Sequence, residues 1–208
     1  MKQKLVIVDL VNGFLVDGPL ADPGIRKNII KEVEIAVQQF IKNGQEVIAV
    51  SDNHLETDEE FKQYPVHCLK GSWESELVPE LKKYQDAGLI RVIEKRTTDA
   101  YNEQEYIEWL DNNRDADRMV FTGCLSEVCV YNLVNSTLGH IIANDYNIEV
   151  VVPENMVDTF NAEGHERGEV NKKALAEMYE MGATIITKKQ KATLQNADDF
   201  IEEFGKTL

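Results

Sequence analysis

Six short runs of aliphatic and β-branched residues recur along this chain, with longer amphipathic stretches between them. The runs are Leu5–Val8, Glu46–Val50, Leu89–Ile93, Met119–Thr122, Ile148–Val152 and Thr184–Ile186. Continuous apolar runs of this length suit parallel strands covered on both faces, where no residue has a solvent side to alternate toward. After the first run, Asp22-Pro23 reads as a cap followed by a first-turn proline. Ile25, Ile29, Ile30, Val33, Ile35, Ala36, Phe40 and Ile41 then follow at close to helical spacing, and Gly44 supplies a stop. Further helices are expected over Glu103–Leu110, Ser126–Ala143, Glu166–Met181 and Ala197–Phe204. Strand–helix alternation of this kind predicts an α/β protein with three layers, α/β/α, around a six-stranded, mostly parallel sheet. With 208 residues, no internal repeat and no linker, residues 1–208 are expected to form a single domain.

Charge and cysteine usage narrow the function. A net charge of -15 repels nucleic acid and anionic lipid, so neither is an expected partner. No apolar run nears the ~20 residues needed to span a membrane. Met-Lys-Gln-Lys leads straight into Leu5–Val8, but Asp9 ends the apolar run and no small-residue cleavage site follows. The segment therefore reads as a buried strand, not a leader. Three cysteines without a CxxC pair suggest neither a disulfide framework nor a zinc ribbon, and free thiols fit a cytoplasmic protein.

In open α/β sheets, ligands bind beyond the carboxyl ends of the strands. Asp9 ends the first run, Ser51-Asp52-Asn53-His54 the second, Glu94-Lys95-Arg96 the third and Thr122-Gly123-Cys124 the fourth. An acid, candidate metal ligands, a base and a thiol thus come from four separate segments. Ser126 is a suitable N-cap, which predicts Cys129 in the first turn of the following helix. Free amides and the helix dipole would there lower the thiol pKa and could hold an oxyanion; an inert core cysteine is the alternative. Asp9 needs a partner if buried, and Lys95 is the natural one, as a proton-handling pair or as a purely structural ion pair. Asp52 and His54 alternate on an extended segment, and His67 and the acidic run Asp58-Glu59-Glu60 lie in the same long connection, residues 51–88. Such a mixed N/O set suits zinc, manganese, iron or cobalt better than calcium or magnesium, although a solvated charged loop would read the same way. Cys124 is expected in the core, Cys68 is assigned no catalytic role with a place near the site left open, and His140 and His165 are expected to be structural or exposed.

Taken in order, these residues resemble the isochorismatase-like cysteine hydrolases, and within them the nicotinamidases. The resemblance covers roughly residues 4 to 187. Asp9-Leu10-Val11-Asn12-Gly13-Phe14 is similar to the family's D-x-Q-N-D-F opening, with Val11 and Gly13 replacing Gln and Asp. Asp52-Asn53-His54 resembles the D-x-H metal pair, and Tyr64-Pro65-Val66-His67-Cys68-Leu69-Lys70-Gly71-Ser72 resembles W-P-x-H-C-x-x-G-T. Gly123 through Val130 resembles G-V-x-T-D-x-C-V, with Ser126 and Glu127 as conservative replacements. Thr97–Tyr101 departs from a segment usually richer in aromatics, and residues 138–147 are longer than usual.

The resemblance implies strand order 3-2-1-4-5-6 and a cis peptide between Cys124 and Leu125. It implies Asp9, Lys95 and Cys129 as catalytic residues, with the Leu125 and Cys129 amides as oxyanion hole. Asp52, His54, Glu60 and His67 would hold a divalent metal, zinc before manganese or iron. Phe14 and Tyr64 would flank a small carboxamide substrate, nicotinamide, hydrolysed through a thioester. Homo-oligomers are common in the family and are expected. The alternatives are another amidase of this scaffold, acting on ureido or carbamoyl compounds, and a catalytically idle metal-stabilised scaffold. An NAD-binding dehydrogenase is disfavoured, because no GxGxxG follows the first strand.

Overall fold

The computed structural model describes residues 1–187; the helix expected at Ala197–Phe204 lies outside them. Six strands form one sheet: β1 (Gln3–Val8), β2 (Glu46–Asp52), β3 (Arg91–Lys95), β4 (Arg118–Gly123), β5 (Glu149–Pro153) and β6 (Thr184–Ile186). Their order is β3-β2-β1-β4-β5-β6 and every neighbouring pair is parallel. The helices are α1 (Asn12–Leu15), α2 (Pro23–Lys42), α3 (Pro79–Asp86), α4 (Gln104–Asn112), α5 (Cys129–Ala143) and α6 (Arg167–Glu180).

Strand side chains alternate between faces, and both faces of β1 are used. Leu5 and Ile7 join Val47, Ala49 and Val120 under Ile25, Ile29, Val33 and Val37 of α2 and Leu81 of α3. Val6 and Val8 join Ile48, Val50 and Phe121 under Tyr106 and Trp109 of α4, Leu133 and Val134 of α5, and Leu175 and Met178 of α6. Two cores therefore sandwich the sheet, which is why β1 has no polar position after Lys4. Each such side chain, fully buried, contributes about 1.5–3 kcal/mol relative to exposure.

Three expectations shift. The third strand runs two residues later than its apolar run suggests, so Lys95 is its last residue, in register with Asp52. This edge strand alternates in burial, with Arg91 and Glu94 exposed, so hydropathy misplaces it. Helix α3 was not expected, because it buries only Leu81 and offers no periodic stripe. Helix α5 begins at Cys129 itself, not at Ser126; Val128 occupies the cap position, and the Ser126 hydroxyl instead bonds Asn171 and Glu127.

This topology places the site. The chain departs to opposite sides after β1 and β4, which are adjacent, and opens a crevice at their carboxyl ends. Gly123 closes β4 with φ +118°, and a Cβ there would lie 2.0 Å from the Val8 carbonyl oxygen. Only glycine lets the two strand ends approach so closely.

Candidate active site

Asp9 leaves β1 in the left-handed region, φ 53°, uncommon for a residue other than glycine. Its amide still bonds the Val50 carbonyl at 3.0 Å, and its Oδ1 accepts the Asp52 amide at 2.9 Å. The turn thus brings the carboxylate to the ends of β2 and β3. The Lys95 ammonium lies 2.9 Å from Asp9 Oδ2, bonds Asp52 Oδ1, donates to the Thr97 carbonyl at 3.2 Å and lies 3.8 Å from Cys129 Sγ. Asp9, Asp52 and Lys95 are all buried, and Cys129 is 7% exposed.

Burial dominates the electrostatics. It raises the Asp9 carboxyl to about 6, Asp52 pushing the same way and Lys95 opposing. Burial also works against the Asp52 charge, but the Lys95 ammonium holds that carboxyl far below the ordinary range. Lys95 loses solvation yet stays firmly protonated between Asp52 and Asp9. The thiol expectation is corrected: burial pushes Cys129 well up, the nearby ammonium only partly offsets this, and the Asp9 charge adds to the rise. The resting sulfur is therefore an S–H group beside a carboxylate, because desolvation outweighs the helix end.

The peptide between Cys124 and Leu125 is cis. The Val128 and Val130 amides bond the Leu125 carbonyl and the Ser126 amide bonds the Asp158 carbonyl, leaving the Leu125 and Cys129 N–H groups without a protein acceptor among the described residues.

A second cluster abuts the first through Asp52. Single ligand atoms from Asp52, His54, Glu60 and His67 lie within 4.8 Å of one another. His54 Nε2 is 3.5 Å from Asp52 Oδ1, and His67 Nε2 is 3.4 Å from Asp52 Oδ2. The tautomers follow from the other nitrogens. His67 Nδ1 lies 2.7 Å from the Pro65 carbonyl, which can only accept, so Nδ1 carries the hydrogen. His54 Nδ1 lies 3.1 Å from Asp58, whose carboxyl Arg96 holds down at about 2, so this nitrogen also donates. Both Nε2 lone pairs are left toward the cluster, and His54 Nε2 is buried without a hydrogen-bond partner. Glu60, half-buried, is pushed upward by burial and by the Asp52 charge. Two bare imidazole nitrogens beside two carboxylates fit a divalent cation, which would satisfy the orphaned nitrogen and neutralise the acidic pair.

Phe14 stacks obliquely on His67 with ring centroids 5.5 Å apart. Tyr64 is 37% exposed and engages Glu60 only through its backbone amide. Phe61, which the sequence did not single out, packs against both imidazoles, at 5.1 Å from His54 and 5.5 Å from His67. Cys68 is buried in the core beside Gly13, and Cys124 is likewise buried. His140 and His165 lie outside the cluster, paired with Asp111 and Glu127.

Residues 3–190 match the model of the family described as Isochorismatase domain. Among curated proteins the chain is similar to Nicotinamidase 1 of Arabidopsis thaliana, 30% identical over 148 residues, which is 64% of this chain and 59% of that one. It is also 27% identical over 177 residues to the uncharacterized isochorismatase family protein PncA of Bacillus subtilis (strain 168), covering 79% of this chain and 91% of the relative. In fold it is similar to a pyrazinamidase/nicotinamidase from Streptococcus mutans UA159, with TM-score 0.74, 24% identity and 89% and 100% of the two chains covered. It is similar too to a pyrazinamidase of Pyrococcus horikoshii in complex with zinc, with TM-score 0.70, 22% identity and 90% and 99% covered.

Proposed function

Because the chain belongs to the isochorismatase family, we propose that it is a metal-containing cysteine nicotinamidase, an amidohydrolase acting on an amide C–N bond, its residues forming one hydrolase domain. The observation that carries this reading is one ammonium, Lys95, touching Asp9, Asp52 and Cys129 beside a cation-sized cluster of Asp52, His54, Glu60 and His67. The Arabidopsis and Streptococcus proteins named above support nicotinamide as the substrate, and the zinc complex supports zinc as the cation.

In this reading Asp9 takes the Cys129 S–H proton as sulfur attacks the carboxamide carbon. A C–S bond forms and the carbonyl oxygen becomes an oxyanion, received by the Leu125 and Cys129 amides. Asp9 returns the proton to nitrogen, the C–N bond breaks and ammonia leaves a thioester. Asp9 next takes a proton from water as its oxygen attacks the same carbon. The C–S bond breaks, the proton returns to sulfur, and nicotinic acid departs, giving its remaining proton to solvent as nicotinate. Lys95 stays charged throughout and keeps the Asp9 carboxylate oriented. Phe14 and Phe61 provide apolar walls beside the imidazoles. A zinc ion held by Asp52, His54, Glu60 and His67 would supply a Lewis acid for the substrate's ring nitrogen.

The test is Cys129→Ala. It should retain fold and bound zinc while nicotinamide turnover, followed as ammonia release, falls by several orders of magnitude. Turnover near the wild-type rate in that variant would overturn the cysteine mechanism. A wild-type enzyme inert on nicotinamide but active on ureido or carbamoyl compounds would reassign the substrate and leave the mechanism standing.

A further inference from the structure

The Lys95 ammonium lies against three oxygens, Asp9 Oδ2 as an ion pair at 2.9 Å, and Asp52 Oδ1 and the Thr97 carbonyl as hydrogen-bond acceptors. The first two are fixed by strand ends. Thr97 lies on an irregular segment that needs some other anchor, and α5 provides one. Asn132, Ser136 and His140, spaced four residues apart, form a single row on that helix. Asn132 Nδ2 reaches the Thr98 carbonyl at 3.4 Å and its hydroxyl at 3.3 Å. The Ser136 hydroxyl donates to Asp99 Oδ2 at 2.6 Å, while Asp99 Oδ1 accepts the Tyr101 amide at 2.9 Å. The Tyr101 hydroxyl meets His140 Nδ1 at 3.0 Å, and His140 Nε2 meets Asp111 at 2.9 Å. The first residue of the same helix is Cys129.

Resting on the reading that Lys95 and Cys129 act together, we propose that Ser136 is a positioning residue: through Asp99 it locks the 97–101 segment to the nucleophile's own helix and so sets the Lys95 ammonium against the Cys129 sulfur. One rigid element thereby carries both the sulfur and the clasp that fixes its cationic partner. Asn132 is a weaker rung of the same row, since its contacts are longer.

The experiment uses two readouts on the intact, zinc-loaded protein: the rate of Cys129 alkylation by iodoacetamide, located by peptide mass spectrometry, and steady-state nicotinamide hydrolysis. Ser136→Ala should slow alkylation about tenfold and lower kcat about tenfold while KM stays within about twofold, because a small misplacement of a catalytic group costs rate more than binding. Ser136→Thr, which keeps the hydroxyl, should restore both. Asn132→Ala should give a smaller loss, about threefold. Asn135→Ala, exposed beside the row, should match wild type. A folded Ser136→Ala protein that alkylates at the wild-type rate overturns the proposal, as does loss that Thr fails to rescue. If wild type leaves nicotinamide untouched but the alkylation difference persists, the substrate reading falls and this inference stands.

Discussion

At the scale of single residues, Asp58 decides which nitrogen of His54 is bare. It accepts from His54 Nδ1 and the Leu55 amide and is clamped by Arg96. Partners of this kind orient a ligating imidazole, and their loss typically weakens metal binding about 10–100-fold. Asp58→Ala should therefore raise the zinc dissociation constant by about that factor in competition with a chromophoric chelator; unchanged affinity would mean His54 is held by packing alone. The residues that meet in the cleft differ in how visible they are in sequence. Asp9, Asp52 and Lys95 each follow a strand-forming apolar run, so hydropathy alone marks them as polar groups at the sheet's rim. Phe61 and the Thr97 carbonyl carry no such mark. One is an ordinary aromatic in a loop, and the other is a backbone oxygen whose role depends on where α5 grips its segment. Asp58 reads only as part of an acidic run. The protonated state of Cys129 was hidden too, because burial is a property of the fold.

At the scale of elements, the start of α2 is tied to distant chain. Asp22 caps it by accepting from the Gly24 amide, accepts the Asn161 amide, and pairs with Arg167 at the start of α6. Partial burial opposes the charge, but the two amides and the guanidinium together hold this carboxyl below its ordinary value of 3.8. A depressed carboxyl stabilises the fold wherever the unfolded group is ionised, and the benefit disappears as pH falls through the folded value. Asp22→Ala should cost about 0.5–2 kcal/mol near neutrality by urea unfolding. That difference should shrink toward zero below the ordinary carboxylate range. A penalty that persists undiminished in acid would show the cap to be steric and not ionic. The cap and its proline were legible as Asp22-Pro23, and so were the central strands, because burial on both faces leaves an unbroken apolar run. Edge strand β3 was legible but placed two residues early, and helix α3 was not legible, since each buries too few side chains to impose a clear period. The start of α5 was misread because Ser126, a good capping residue by chemistry, is engaged with Asn171 of α6.

At the scale of the whole molecule, the cluster of Asp52, His54, Glu60 and His67 joins β2 to the long segment that follows it. A cation that binds only the folded chain adds about 2.7 kcal/mol of stability at a hundredfold excess over its dissociation constant. For a domain of this size that is about 5–10 °C in melting temperature. Chelation should lower the melting temperature by that amount, and zinc added back should restore it. An unmoved transition would place the cation outside the folding equilibrium. No helix among the described residues is long and apolar enough to cross a membrane.

Asp52 sets Oδ1 against the Lys95 ammonium and 3.5 Å from His54 Nε2, and Oδ2 3.4 Å from His67 Nε2. In the mechanism proposed above, nucleophile chemistry and ion capture hinge on this one shared side chain, and neither can be tuned alone. On that proposal, a descendant that sheds the cation must also rewire the lysine, so loss of the ion and a change of reaction partner would have to arrive together.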